Sequence, residues 1–144
     1  MGRLFIEFLE SPSNKGVYAC KKCALGGETV HLARLDDILS KSFHSRSGPA
    51  YLFHQCVNVT AGPAEERELT TGRHTVCDIH CTCCREVVGW LYIRAQDPRE
   101  RYKEHKFILE RSKVLGLDSR APVSPLTSAS LSSSSDVEDP FEMV

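Results

Sequence analysis

A mainly β fold, an antiparallel sheet with one short helix and a disordered acidic C-terminal tail, is predicted by three observations. Apolar residues in the first 117 positions recur mostly with a period of two, the signature of half-buried strands. Two Cys-x-x-Cys pairs, Cys20-Lys21-Lys22-Cys23 and Cys81-Thr82-Cys83-Cys84, stand at opposite ends of that part of the chain. From Asp118 onward the periodicity stops, and Pro122, Pro125 and the serine run 132–135 take over.

In chain order, Leu4, Ile6 and Phe8 alternate with Phe5, Glu7 and Leu9, which predicts an opening strand. The first cysteine pair follows. Residues 31–41 are the helical candidate, because Leu32, Leu35, Ile38 and Leu39 would share one face and Thr29 could cap it. Gly48-Pro49 and Gly62-Pro63 are turn punctuation around residues 51–59, whose aromatic and β-branched content predicts a strand. Residues 74–81 alternate and deliver Cys81 at a strand end, and residues 87–95 form the next strand, with Gly89 marking a bulge or a close backbone approach. Asp97-Pro98 predicts a turn or a one-turn helix, and residues 106–110 a last strand.

The two cysteine pairs together supply four thiolates, the ligand set of a closed tetrahedral zinc site. Lys21 and Lys22 flank the first pair with positive charge that favours thiolates and offsets the net charge of a zinc bound by four of them. Residues 24–80 separate the pairs, far more than the roughly 15 to 20 residues of a zinc ribbon. The metal would therefore clamp a whole sheet, since closing a long loop costs only logarithmically more than closing a short one. A thioredoxin-like redox pair would open a helix in a βαβ unit, a context neither pair has in the sequence. One Zn2+ per chain on Cys20, Cys23, Cys81 and Cys84 is the expectation.

Composition sets the class. The chain has 144 residues, 41% hydrophobic and 26% charged, enough for one core. Seven cysteines, an odd number, and no basic-then-apolar N-terminal signal point to a reducing compartment, the cytoplasm and/or nucleus, where thiols bind metal. No apolar run approaches the roughly 18 residues of a membrane span. Gly2 does not complete a myristoylation pattern, because Ile6 stands where Ser or Thr is expected. Asn58-Val59-Thr60 fits the glycosylation pattern but is expected to be unused without secretion. Residues 1–117 carry 17 Lys and Arg against 14 Asp and Glu, while residues 118–144 carry one against five. In the tail, Ser133 and Ser135 each precede an acidic residue by three positions and Ser124 precedes proline, which makes them candidate phosphorylation sites.

Several ordered motifs together resemble the yippee-like proteins. They are Tyr18-x-Cys20-x-x-Cys23, Ala50-Tyr51-Leu52-Phe53, Val57-Asn58-Val59, Thr71-Gly72-x-His74-x-Val76, Asp78-Ile79-x-Cys81-x-x-Cys84, Gly89-Trp90 and Tyr102-Lys103-Glu104-x-Lys106-Phe107-Ile108-Leu109-Glu110. The opening Met1-Gly2-Arg3-Leu4-Phe5 is similar to the plant branch. The resemblance implies a zinc-clamped β-tent, the fold of the cereblon drug-binding domain and of methionine-R-sulfoxide reductases, and by position it makes the same four cysteines the zinc ligands. The expected organisation is an opening strand and lead-in at 1–15, the zinc-binding domain at 16–113, and a disordered Ser/Pro-rich acidic tail at 114–144. The chain departs from the family pattern at 24–28, His54, Cys56 and Leu91.

Three function classes follow from these residues. A reductase would need a catalytic cysteine on a strand after the second pair, and no cysteine follows Cys84. Cys56, in His54-Gln55-Cys56-Val57-Asn58, lies before that pair, so the chain is expected not to be an enzyme, and four cysteines leave zinc no open position. A small-ligand or peptide pocket would centre on Trp90, with Tyr51, Phe53 and Tyr92 as further walls, against the alternative that Trp90 fills the core. Nucleic acid is not expected as a partner, because the one cationic group, Arg99, Arg101, Lys103 and Lys106, is interrupted by Glu100 and Glu104. The expectation is thus a zinc-binding interaction domain acting through protein partners. His74 is expected to satisfy a core hydrogen bond, with His80 the alternative metal ligand beside Cys81.

Overall fold

The computed structural model describes residues 6–117. Among these residues, ten strands form two antiparallel sheets. β1 (Val17–Cys20), β2 (His31–Arg34) and β10 (Val114–Leu117) make a three-stranded sheet in the order β10-β1-β2. β3 (Ile38–Ser45), β4 (Gly48–Phe53), β5 (Val59–Ala61), β6 (Glu65–Leu69), β7 (Gly72–Cys81), β8 (Val87–Ala95) and β9 (Phe107–Glu110) make a seven-stranded sheet in the order β3-β4-β9-β8-β7-β5, with β6 also paired to β7. Among the described residues the single α-helix, α1 (Lys21–Leu25), is one turn long, and short 3-10 turns cover Leu35–Asp37, Pro98–Lys103 and Arg111–Lys113.

Alternation along β4 places the core on both faces of the large sheet. Ala50 and Leu52 join a buried cluster with Phe43, Leu69, Val76, Trp90, Tyr92 and Ile108. Phe53, with Tyr51 beside it, faces the other way, into a cluster with Tyr18, Leu32, Ile79, Val88, Leu109 and Val114. Since that cluster takes residues from β1, β2 and β10 as well, it is the filling between the two sheets. All four residues of β1 are buried, so the strand needs a hydrogen-bonded neighbour on each edge, and β2 and β10 supply them.

Gly89 permits the closest approach in the sheet. A Cβ placed there would lie 1.7 Å from the Ile108 carbonyl oxygen of β9, so only glycine fits. The expected strands at 74–81, 87–95 and 106–110 correspond to β7, β8 and β9, and Asp97 caps the 3-10 turn that begins at Pro98 by accepting from the Arg99 N–H at 2.9 Å.

Four expectations are corrected. Residues 31–41 are not helical: they form β2, a 3-10 turn and the start of β3, because His31–Arg34 complete the edge of β1 and Leu39 is exposed. The short helix instead begins inside the first cysteine pair and runs to Leu25. The strand expected over 51–59 breaks after Phe53, where the chain turns inward and Asn58 adopts a left-handed φ of 59°. Among the described residues of the opening segment, 6–10 form no strand and are held by side chains; Leu4 lies outside the described residues. Val114–Leu117, placed with the tail by the boundary at 113, form β10, and the pairing of Val114 with Cys20 ties them to the first cysteine pair.

Candidate metal centre

The four sulfurs come from the two sheets. Cys20 ends β1 and caps α1, its Sγ accepting from the Cys23 N–H at 3.5 Å, so one turn of helix carries Cys23 back beside it. Cys81 ends β7, and the chain reverses into β8 through a tight turn in which Arg85 donates its N–H to the Cys81 carbonyl at 2.7 Å and Cys81 donates to the Glu86 carbonyl at 2.9 Å. Arg85 takes a left-handed φ of 68°, which swings Cys84 towards the first pair.

The Sγ atoms of Cys20, Cys23, Cys81 and Cys84 all lie within 4.8 Å of one another. Across the two sheets, Cys20 and Cys84 are 3.6 Å apart and Cys23 and Cys81 3.7 Å. A tetrahedron of sulfurs at the usual Zn–S distance of about 2.3 Å has an edge of about 3.8 Å. The spacing therefore fits a tetrahedral thiophilic cation without rearrangement. Burial pushes the Cys20 thiol up to about 11, against the hydrogen bonds from Cys23 and with the help of Cys81 and Cys84, and burial with Cys81 and Cys20 raises Cys23 further. For Cys84, burial is outweighed by a hydrogen bond from the Glu86 N–H and by bonds from the other three cysteines, and its thiol falls below the ordinary value. Four sulfurs this close share their protons reluctantly with solvent, and a divalent cation resolves that by replacing the protons.

Around the sulfurs, Glu86 bridges Lys22 of the first pair at 3.5 Å and Lys113 at 3.0 Å. Those ion pairs are partly exposed and contribute little energy, but they join the two pairs and the start of β10 over the site. This bridge was not visible in the sequence, because Lys22, Glu86 and Lys113 are remote along the chain.

The other candidates separate from the site. Cys83 is half-buried within the second pair, and burial, with Cys81 and Glu28, pushes its thiol up rather than activating it. His80 lies outside the sulfur group, its Nδ1 3.3 Å from the Arg85 carbonyl oxygen. His74 is buried with Nδ1 2.9 Å from the Gly72 carbonyl oxygen, the core hydrogen bond the sequence suggested. Cys56 is buried in the filling between the sheets, and burial, with Asp37, raises its thiol well above the ordinary value, the opposite of an activated nucleophile. The four aromatics proposed for a pocket do not line one together. Trp90 and Tyr92 are buried in one cluster, whereas Phe53 and Tyr51 belong to the other, because neighbouring strand positions point to opposite faces. Ser124, Ser133 and Ser135 lie outside the described residues.

The family model described as "Yippee zinc-binding/DNA-binding /Mis18, centromere assembly" matches residues 16–122. The chain belongs to the yippee family. It is 53% identical over 116 residues to a yippee-like protein of Arabidopsis thaliana, covering 81% of this chain and 84% of that one. A yippee-like protein of Solanum tuberosum is 48% identical over 118 residues, 82% of this chain and 84% of its own length. Human yippee-like 3 is 47% identical over 98 residues, 68% of this chain and 78% of its own. The crystal structure of the Mis18 "Yippee-like" domain superposes with a TM-score of 0.56 at 16% identity, covering 71% of this chain and 94% of that one, and shows the same fold. A yippee domain is thus a zinc-binding β fold, and in this member the clustered cysteines are the group suited to metal. No helix among the described residues is long and apolar enough to cross a membrane.

Proposed function

We propose that Cys20, Cys23, Cys81 and Cys84 hold one Zn2+ per chain, and that the domain is a non-enzymatic interaction module acting through protein partners in the cytoplasm or nucleus. The observation that carries the metal reading is the sulfur spacing of 3.6 and 3.7 Å across the two sheets. Four thiolates close the coordination sphere, so the ion would supply structure and leave no position for substrate or activated water. The chain's own residues do the rest: α1 and the turn at Arg85 aim the sulfurs, and Glu86 keeps Lys22 and Lys113 over them.

A reductase-like reading is not supported, since Cys56 is buried with a raised thiol. The reading without a nucleic-acid partner is supported by the cationic group itself: Lys103 is buried against Glu100, and Arg99 is engaged by Asp97.

The test is metal content with folding. The intact chain should carry one zinc, and Cys20→Ser or Cys84→Ser should lose both metal and fold, because binding energy is folding energy when distant ligands meet only in the folded state. Cys56→Ser and Cys83→Ser should keep the metal. Zinc content unchanged in Cys20→Ser would overturn the four-ligand assignment. The zinc-loaded chain should not turn over methionine sulfoxide with dithiothreitol, and turnover lost in Cys56→Ser would refute the non-enzymatic reading. Proximity labelling should give a protein partner list, compared between the intact chain and one lacking residues 118–144; an empty list for both would refute the interaction reading.

A further inference from the structure

Residues 6–16 lead into β1 and form no strand of their own. At their start, what holds them is main-chain recognition by side chains. The Asn58 amide grips residue 7 twice: Oδ1 accepts from the Glu7 N–H at 2.9 Å, and Nδ2 donates to the Glu7 carbonyl at 2.9 Å. Nδ2 also donates to the His31 carbonyl at 2.7 Å, which fixes the amide against the edge of β2. Two residues further on, His31 Nδ1 accepts from the Leu9 N–H at 2.9 Å. Ile6 packs against the cluster between the sheets, whereas Glu7 and Phe8 are exposed, with Phe8 edge-on to the His31 ring at 5.4 Å. Beyond the groove, Asp36 accepts from the hydroxyls of Ser11 and Ser13.

This pattern recognises main chain rather than side chains. An asparagine amide that pairs with both main-chain groups of one residue, and an imidazole that pairs with the N–H two positions on, hold any extended peptide whatever its side chains. Selectivity is confined to the apolar seat of Ile6. Asn58 itself is fixed from behind, since its carbonyl accepts from the Thr82 N–H at 2.9 Å inside the second cysteine pair. The glycosylation pattern at Asn58 is unusable in this fold for the same reason: the nitrogen that would carry a sugar is spent on two inward hydrogen bonds.

We infer that the groove between His31 and Asn58 is a peptide-binding site, filled in cis by residues 6–9, that receives an extended segment of a partner protein. The segment it fits is extended, with an aliphatic residue at the Ile6 position; Ser11, buried and accepting from the Lys15 and Gly16 N–H groups, stays in place in the turn that leads into β1. The occupant in cis is displaceable because its grip is a handful of exposed or part-buried hydrogen bonds, each weak in net terms since water can replace it, and Phe8 gains nothing from the core. The inference deepens the interaction reading and rests on it, but not on the metal assignment.

The experiment uses the full zinc-loaded chain and a fluorescein-labelled peptide with the sequence of residues 1–14. Glu7→Pro removes the N–H that Asn58 accepts and so weakens the cis occupant while leaving the groove intact. The peptide should bind Glu7→Pro at least tenfold more tightly than it binds the unsubstituted chain. Adding Asn58→Gly, which keeps the left-handed backbone and its bond to Thr82 but removes the amide, should reverse that gain. Peptide binding that is absent in Glu7→Pro, or indifferent to Asn58→Gly, overturns the inference, as does a dimer in which copies exchange these segments. Should Glu7→Pro fail to fold, hydrogen exchange in Asn58→Gly alone decides: the Glu7 and Leu9 amides should exchange at least tenfold faster than in the unsubstituted chain, and unchanged rates overturn the site. Zinc content and the proximity-labelling comparison are measured alongside, so a failed groove is distinguishable from a failed metal site and from a failed interaction reading.

Discussion

Replacing Trp90 with alanine discriminates a core from a pocket. The side chain is 2% exposed and packs among Phe43, Ala50, Leu52, Leu69, Val76, Ile108 and Tyr92, the last with ring centroids 6.3 Å apart. These neighbours come from five other strands of the large sheet and from its own, so they cannot collapse into the space left without breaking the ladder. Truncating a buried tryptophan in such a setting costs about 3–5 kcal/mol. At about 4 °C per kcal/mol for a domain of this size, the midpoint should fall by roughly 12–20 °C. A second substitution sharpens the test. Trp90 Nε1 is buried with no hydrogen-bond partner among the described residues. An orphaned donor of that kind costs about 1–3 kcal/mol, so Trp90→Phe, which removes it along with some volume, should cost far less than the alanine change. The assay is thermal unfolding followed by circular dichroism at fixed zinc, with metal content measured in the same samples. A midpoint for Trp90→Ala within a degree or two of the unsubstituted chain would refute the core assignment and return Trp90 to the wall of an open pocket.

The remaining predictions concern Gly89, the Lys103–Glu100 pair and His31. Gly89→Ala should prevent stable folding, because its Cβ would sit 1.7 Å from the Ile108 carbonyl oxygen and would have to drive β8 and β9 apart; soluble protein with native near-ultraviolet dichroism would contradict this. Lys103, 1% exposed, contacts Glu100 at 2.8 Å and Thr71 at 2.9 Å, with the rings of Phe43 and Tyr92 at 5.4 Å. Glu100→Gln should therefore destabilise by up to about 3 kcal/mol in urea unfolding, more than Lys103→Met, since a buried ammonium deprived of its carboxylate is worse than none. Burial lowers the His31 pKa, so between that folded value and about 6.5 the folded chain binds fewer protons than the unfolded one. The resulting cost is absent above about pH 6.5 and grows as pH falls, and protonation removes the acceptor of the Leu9 N–H. Leu9 amide protection should decline on acidification in the unsubstituted chain, and a pH-independent protection factor would refute this.

Strands whose fate is decided by their own pattern were legible in the sequence. β7 and β8 alternate along most of their length and end on cysteine pairs or turns, and Gly89 announced a contact that the fold then required. The four sulfurs were equally legible, because the knuckle spacing is local even though the pairs are remote. The segment 31–41 was not. Its leucines at 32, 35, 38 and 39 satisfy a helical period, but β1 is buried on both faces and takes His31–Arg34 as its edge partner, a demand that arises far away in sequence. Asp36 and Asp37 then close the turn, Asp36 accepting from Ser13 and Asp37 lying 3.9 Å from Arg34, and the leftover Leu39 is half exposed as no core-facing helix residue would be. The break after Phe53 was hidden for a similar reason. Aromatic and β-branched residues on both sides read as one strand, whereas the left-handed φ at Asn58 and its three side-chain hydrogen bonds depend on partners at 7 and 31.

The position of the sulfurs explains why one small ion could matter to so much of the chain. Cys20 and Cys23 belong to the end of the three-stranded sheet, and Cys81 and Cys84 to the end of the β7–β8 hairpin in the large one. The cluster containing Tyr18, Leu32, Phe53 and Val88 is buried only while those two sheets face each other. The other cluster, around Trp90, is enclosed by strands of the large sheet alone. A metal bridging the two pairs would therefore act on the relation between sheets rather than on either sheet, and closing the 57 intervening residues adds little more entropic cost than closing a short finger would. The groove at Asn58 sits on this same seam. Its backbone is bonded to Thr82 in the second pair, and its side chain to His31 in the small sheet, so a segment bound there touches both halves of what the sulfurs join.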